Sequence, residues 1–359
     1  MKPEIYMFAL AVGILVMNMM PRSAIGALDC SQRETQERPI SLGVSGGNIN
    51  SLTSSECFNG TLGSMVQNRQ SQQFILSNNH VLANLNKANQ GEPIVQPGLA
   101  DAFCAQDPST EVATFTRAIP LSFGRTPNSV DAAIAAIKPG DVSSTILNIG
   151  GIASSVAEPR VGMGVQKMGR TTCYTTGTIT AIGVNMLRIT YGPGKVATFR
   201  NQIKIGTDGF SSAGDSGSLI VTQESCPRAV GLLFAGASDD SFTLANPISK
   251  VLKRLNVAMT GSCTAAVTSD MVQPDVSARY LGISAEVATA AIGIRDRHER
   301  DLLKIAGAVG TGIGIGDQRG QSAIEVYVDK LTPENQAATP AAVDGVAVKL
   351  IETGPVVAY

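Results

Sequence analysis

Ser212-Ala213-Gly214-Asp215-Ser216-Gly217-Ser218 sets a serine between two glycines, with an aspartate directly before it. Glycine on both sides lets the backbone take turns that a Cβ forbids and lets another chain come close. An exposed nucleophile needs that geometry, together with free N–H groups to hold a developing oxyanion. A glycine-flanked serine alone is only a turn, so its meaning depends on partners elsewhere in the chain.

The histidines narrow the search, because only His80 and His298 exist. His80 ends the stretch Phe74-Ile75-Leu76-Ser77-Asn78-Asn79-His80, where an apolar strand pattern runs into a polar corner. His298 stands among Arg295, Asp296, Arg297, Glu299 and Arg300 and reads as an exposed helix residue. An imidazole that works as a base needs an acid to fix its tautomer and stabilise its charged form. Between His80 and Ser216, Asp131 is the aspartate set in apolar text, Val130-Asp131-Ala132-Ala133-Ile134. A carboxylate there is costly to bury without a partner. Asp101, Asp107, Asp141 and Asp208 lie in loop-like text, where solvated aspartates are ordinary. Local propensity reads residues 131–137 as helix as readily as strand.

The bulk properties set limits. A chain of 359 residues exceeds one ordinary core and predicts two or three folding units. A net charge of −1 without a long basic run gives no electrostatic footprint for nucleic acid. Trp is absent, aromatics are scarce, and Gly, Ala, Val, Ile, Ser and Thr abound, which suits short strands and tight turns. The apolar run Met7–Met20 is too short for a membrane span, and small residues follow Pro21 and Arg22. Residues 1–27 therefore read as a signal peptide, with an uncleaved anchor as the alternative, and the protein as exported, secreted or periplasmic, with no stable membrane insertion after cleavage. All six cysteines lie beyond that cut, so up to three disulfides are expected, with the pairing open. No C-x-x-C occurs and histidine is scarce, so neither a metal nor an organic cofactor is expected.

Short strands are predicted at Thr61–Val66, Gln73–Ser77, Gly162–Met168, Thr176–Ile182, Leu187–Tyr191, Gly217–Val221 and Val230–Ala235. Leu85–Ser109 reads as a surface loop. Asn246 as N-cap and Pro247 as first helical residue open a closing helix over 247–255, whose Ile248, Val251, Leu252 and Leu255 share one face. Residues 28–262 form the main unit and 263–283 a linker. Residues 284–359 form a small α/β domain with a helix over Ser284–Ile305 and strands at Val309–Ile315, Ala323–Val328 and Val346–Ile351.

The order His80, Asp131, Ser216 resembles that of the chymotrypsin-fold, trypsin-like serine proteases. The text Val165-Gln166-Lys167-Met168-Gly169-Arg170-Thr171-Thr172, followed by Gly177-Thr178-Ile179-Thr180-Ala181, is similar to the bacterial α-lytic protease and streptogrisin type. The His80 segment resembles that of periplasmic heat-shock proteases. Gly43 to Leu255 as a whole is similar to trypsin-like peptidases related to the plant narrow-leaf protein. The resemblance implies a mainly β fold of two six-stranded antiparallel β-barrels of the chymotrypsin type. It implies a serine endopeptidase acting on protein or peptide substrates through an acyl-enzyme. Ser216 is then the nucleophile, His80 the base and acid, Asp131 its orienter, and the N–H groups of Gly214 and Ser216 the oxyanion hole. Asp215 is expected to be buried against Arg170, and Phe210 and Phe234 to lie at the specificity pocket, with a preference for small or apolar side chains.

Two positions depart from the resemblance. Ser218 stands where a second glycine is usual, and Phe234 where a serine is usual, which removes a hydrogen bond near Asp131. They give some weight to another class of function, a catalytically silent homologue that binds peptides in the barrel cleft. Two further motifs read as coincidence. Gly43-Val44-Ser45-Gly46-Gly47 matches G-x-S-x-G, but no helix pattern follows it. Gly310-Thr311-Gly312-Ile313-Gly314-Ile315-Gly316 resembles a dinucleotide loop, but a strand follows rather than a helix.

Overall fold

The computed structural model describes residues 30–124, 126–263 and 282–359. The expected signal peptide, residues 1–27, and nearly all of the expected linker, 263–283, lie outside them. The chain is mainly β.

Nine short strands build the first unit. They are β1 (Ile40–Leu42), β2 (Val44–Asn48), β3 (Gly60–Leu62), β4 (Ser64–Gln67) and β5 (Gln73–Ser77). After the helix α1 (Asn79–Leu82) come β6 (Pro93–Val95), β7 (Glu111–Ala118), β8 (Ala133–Ile137) and β9 (Val142–Ile146). Seven of them form a curled sheet in the order β4-β5-β8-β7-β6-β2-β3. Leu62, Ile75, Leu76, Ile94 and Ile134 belong to its buried apolar core. The strand expected over Thr61–Val66 breaks at Gly63, where a Cβ would lie 1.9 Å from the Gly217 carbonyl oxygen. The serine loop thus presses on the first unit at the only kind of residue that admits it. The Leu85–Ser109 stretch, expected as loop, contributes β6 to the sheet.

The second unit holds β10 (Gly164–Gly169), β11 (Cys173–Asn185), β12 (Arg188–Thr190) and β13 (Val196–Thr198). It continues through β14 (Gln202–Ile205), β15 (Leu219–Thr222), β16 (Ala229–Ala237) and β17 (Thr243–Pro247). Antiparallel pairing runs β10-β11-β14-β17-β16-β15 and returns from β15 to β10, which closes a six-stranded barrel. The first unit matches it as a half-barrel sheet, since its end strand β3 pairs only with β2. Phe199, Phe234 and Leu244 belong to a further apolar cluster beside the barrel core of Val165, Ile179, Ile205 and Phe210.

The helix α2 (Ile248–Leu255) buries Ile248, Val251 and Leu255 on one face, as their spacing predicts. Asn246, expected as its N-cap, instead lies within β17, and Pro247 takes the cap position without a side-chain cap. A short strand β18 (Ala258–Met259) then pairs with β4 at the edge of the first sheet.

Residues 282–359 supply α3 (Ala285–Leu302), β19 (Ala308–Ile315), β20 (Ser322–Val328) and α4 (Pro333–Ala338). They end with β21 (Ala342–Val343), β22 (Val346–Glu352) and β23 (Val356–Ala358). Ser284 caps α3 by accepting from Val287 N–H at 3.2 Å. β19 pairs with β11 through Ile182–Ile313 and Asn185–Thr311, so this segment extends the second unit's sheet. Buried polar groups join the two: Arg295 Nη1 donates to the Gly183 carbonyl at 2.7 Å, and Lys204 Nζ lies 3.5 Å from Glu325 Oε2. Three disulfides, Cys30–Cys173, Cys57–Cys104 and Cys226–Cys263, use every cysteine.

Candidate active site

His80 is the second residue of α1, a single turn at the end of β5. The first N–H groups of a helix have no partner within it. The Asp131 carboxylate supplies one: Oδ1 accepts from Asn79 N–H at 2.7 Å and from His80 N–H at 3.3 Å. Its Oδ2 accepts from His80 Nδ1 at 2.6 Å and from the Tyr191 hydroxyl at 2.8 Å. One fully buried carboxylate therefore caps the helix and orients the ring carried on it. Its own backbone is held by Asn246, whose Oδ1 accepts from Asp131 N–H at 2.9 Å, and by Asn78, whose Nδ2 donates to the Asp131 carbonyl at 2.7 Å.

Burial works against charge on His80, but the Asp131 carboxylate and the Tyr359 carbonyl oxygen outweigh it and hold the imidazole above its ordinary value. Burial, reinforced by Asp131, pushes the Tyr191 phenol well above its usual range, so it remains a donor.

His80 Nε2 lies 3.0 Å from the carbonyl oxygen of Tyr359. With Nδ1–H given to Asp131, a second donor at Nε2 makes the ring an imidazolium. Ser216 is fully buried, and its Oγ donates to the Phe234 carbonyl at 3.1 Å. Gly214 has φ +99°, and a Cβ there would meet Thr171 Oγ1 at 2.4 Å. Among the described residues, the N–H groups of Gly214 and Ser216 have no backbone acceptor.

The expected Asp215–Arg170 pair does not form. Asp215 and Lys167 both have fully buried side chains, and Lys167 Nζ lies 3.5 Å from Asp215 Oδ2. Lys167 alternates inward on β10, whereas Arg170 lies just past the strand end and turns outward. Arg170 Nε donates to Asp101 Oδ2 at 3.0 Å, and its Nη2 contacts Oδ1. Asp101, expected to be solvated, is largely buried and also accepts from Asn59 Nδ2 at 2.8 Å. Burial alone would raise its carboxyl, but Arg170 and Ser45 hold it below the usual range. Asp215 further accepts from Thr171 N–H at 2.8 Å, Thr172 Oγ1 at 2.7 Å and Ser212 N–H at 3.0 Å.

Ser218 N–H donates to the Asp215 carbonyl at 3.0 Å, closing the turn around Ser216, while its hydroxyl is buried without a hydrogen-bond partner. The expectation that Phe234 lines the specificity pocket fails. Its ring packs on Phe199 at 4.7 Å between centroids, and only its carbonyl faces the site. Phe210 lies in the apolar cluster that also contains Tyr359.

The last residues occupy the cleft. β23 runs antiparallel to β16 in the register Ala235–Ala358, Gly236–Val357 and Ala237–Val356. Tyr359 N–H donates to the Phe234 carbonyl at 3.3 Å. Its phenol donates to the Ala237 carbonyl at 2.7 Å and lies 3.1 Å from Asp240 Oδ1. A groove of about 920 Å³ is lined by Cys57, Phe58, His80, Arg170, Gly214 and Tyr359, among others.

The sequence profile of peptidase family S64 matches residues 48–261, more than half the chain, a span that includes His80, Asp131 and Ser216. The chain belongs to peptidase family S64. This S64 chain is a serine peptidase, a hydrolase of peptide bonds in proteins. Its solved-structure likenesses include a glutamic-acid-specific serine protease described as using a histidine triad in substrate binding. That protein is 18% identical, with 62% of this chain and 100% of that one covered and a TM-score of 0.44. Thermobifida fusca protease A is similar at 19% identity over 62% and 100% of the two chains, with a TM-score of 0.41. Nocardiopsis protease follows at 17% identity, 62% and 100% coverage, and a TM-score of 0.40. No curated protein matches this S64 peptidase.

Proposed function

We propose that this S64 peptidase is an endopeptidase working through His80, Asp131 and Ser216. His80 takes the Ser216 hydroxyl proton as Oγ bonds to the scissile carbonyl carbon. The imidazolium then gives that proton to the leaving amine as the C–N bond breaks, and water repeats the sequence on the acyl-enzyme. Asp131 and Tyr191 keep the ring in its working orientation. The N–H groups of Gly214 and Ser216 hold the oxyanion, each contributing about 3–4 kcal/mol to lowering the barrier. The reading is carried by one observation: an extended segment added to β16 brings its Tyr359 carbonyl oxygen to 3.0 Å from His80 Nε2. Antiparallel addition of an extended segment to a strand edge is a general way of holding a peptide, and here it sets Tyr359 beside the base.

The three disulfides support a place in an oxidising compartment, secreted or periplasmic, in line with the signal peptide expected over residues 1–27. The silent-homologue reading has one observation in its favour, the Ser216 hydroxyl turned to the Phe234 carbonyl. The triad reading requires that side chain to turn towards His80 once the Tyr359 oxygen leaves. Ser216→Ala is the test. Cleavage of casein-like substrates should fall by about 10⁴-fold or more with the melting temperature retained; unchanged cleavage contradicts the assignment.

A further inference from the structure

We infer that the primary pocket is a tyrosine site, with Asp240 as its specificity-determining residue, and that the chain's own Val356–Tyr359 segment is the resident competitor for it. The inference rests on the triad reading, because it names the side chain that reading would accept next to the scissile bond.

The tail engages β16 by backbone pairing, which fixes the depth at which each side chain enters. That register delivers Tyr359 into the barrel core cluster, where it is 7% exposed, with Val357 packed against the cluster's edge. The pocket is shaped for an aromatic ring with a polar tip. Gly236 leaves the space, since a Cβ there would lie 2.2 Å from the Tyr359 hydroxyl. At the end stand the Ala237 carbonyl and the Asp240 carboxylate, two acceptors that can be satisfied only by a donor. Phenylalanine would bury the same ring but offer no donor to the Asp240 carboxylate or to the Ala237 carbonyl, which would keep only its bond from Asp240 N–H at 3.1 Å, and sites built to bond a hydroxyl discriminate against the analogue lacking it. A small or apolar preference, expected from the absence of a charged residue near Phe210, therefore gives way to tyrosine. Asp240 lies 30 residues beyond Phe210 in a turn, with φ +59°, so no local sequence signal ties it to the pocket.

The tail also explains what His80 and Ser216 are doing. The Tyr359 oxygen takes the Nε2 that the reaction needs, and Ser216 Oγ is satisfied elsewhere. A segment held this way excludes other peptides from the acyl side of the cleft.

The test uses the full chain, the Tyr359→Gly variant and a variant lacking residues 356–359. The substrates are Val-Val-Ala-Tyr-p-nitroanilide and the same peptide ending in Phe, Ala or Glu. Both tail variants should cleave the tyrosine substrate at least about 10-fold faster than the full chain, and about 10- to 100-fold faster than they cleave the phenylalanine one. Adding Asp240→Ala should collapse the Tyr/Phe ratio towards unity. Equal cleavage of Tyr and Phe, or a ratio indifferent to Asp240, overturns the inference. Binding of free Val-Val-Ala-Tyr to Ser216→Ala/Tyr359→Gly, measured by calorimetry, reads the pocket without catalysis. Binding tighter than Val-Val-Ala-Phe with no cleavage by any Ser216-bearing variant would sink the triad and keep the tyrosine site; equal binding sinks the tyrosine site.

Discussion

The Tyr191 hydroxyl donates at 2.8 Å to the same Asp131 oxygen that holds His80 at 2.6 Å. Phe234 occupies a place where the resemblance expects a serine donor to that carboxylate, and Tyr191 supplies the missing bond from a different strand end. Its ring also lies edge-on to His80 at 5.6 Å between centroids and stacks on Phe199. Tyr191→Phe keeps the packing and removes one bond to a buried charge, worth about 1.5–3 kcal/mol. We expect kcat on peptide substrates to drop about 10- to 100-fold, with the melting temperature lowered by several degrees and the protein still folded at the assay temperature. A kcat equal to wild type would remove Tyr191 from the site.

Lys167 and Asp215 form an ion pair with both side chains fully buried. Removing one partner strands the other charge, at a cost of about 3–5 kcal/mol. Burial pushes the Lys167 ammonium down and Asp215 pulls it back, so losing Asp215 leaves only the unfavourable part. Lys167→Met should lower urea-unfolding stability by that amount, while Lys167→Met/Asp215→Asn recovers part of it. Arg170→Met, a quarter exposed and paired instead to Asp101, should cost clearly less. Equal losses for Lys167→Met and Arg170→Met would contradict the pairing.

Much of this arrangement was legible in the sequence. Scarcity did the work for His80, apolar surroundings for Asp131, and flanking glycines for Ser216. Asp215 is legible, but the resemblance points to Arg170 as its cation, and the motif does not say which of two basic residues three apart faces inward. Strand alternation settles that, and it depends on where β10 ends. Tyr191, Asn246 and Asp240 sit next to Gly192, Pro247 and Ala237 or Asp239 in unremarkable turn text; they matter through contacts 60, 115 and 119 residues away. Asn246 even carries a competing local signal, that of a helix cap. The tail Val356-Val357-Ala358-Tyr359 follows Gly354-Pro355, a break that marks a new direction but not its destination.

His80 is held above its ordinary value near 6.5 despite burial, by Asp131 and the Tyr359 oxygen. A group raised in the folded protein contributes its full stabilisation below the unfolded value and loses it as pH rises through the folded one. The tail is therefore gripped most firmly below about pH 6.5 and loosens as pH climbs past the raised value. Peptide cleavage should rise across the same window, since His80 accepts a proton only when neutral. Tyr359→Gly should move the midpoint of that rise to lower pH. An unshifted midpoint would contradict the coupling.

Cys226–Cys263 ties the loop after β15 to the end of the first sheet's edge strand across 37 residues. Closing a loop of that size constrains the unfolded chain by about 3–4 kcal/mol. Replacing both cysteines with alanine should lower stability by about that much and leave kcat unchanged, because no catalytic group is bonded to either residue. A loss of kcat at a temperature where the variant is folded would speak against this separation.

The most direct measurement is labelling with a fluorophosphonate, followed by mass spectrometry of the modified peptide. Such a reagent phosphonylates an activated serine hydroxyl and spares idle ones. The Tyr359→Gly variant should carry one adduct on Ser216, the full chain should label more slowly, and His80→Ala should not label. An unmodified Ser216 in the tail-released variant, or an adduct on another serine, would contradict the account.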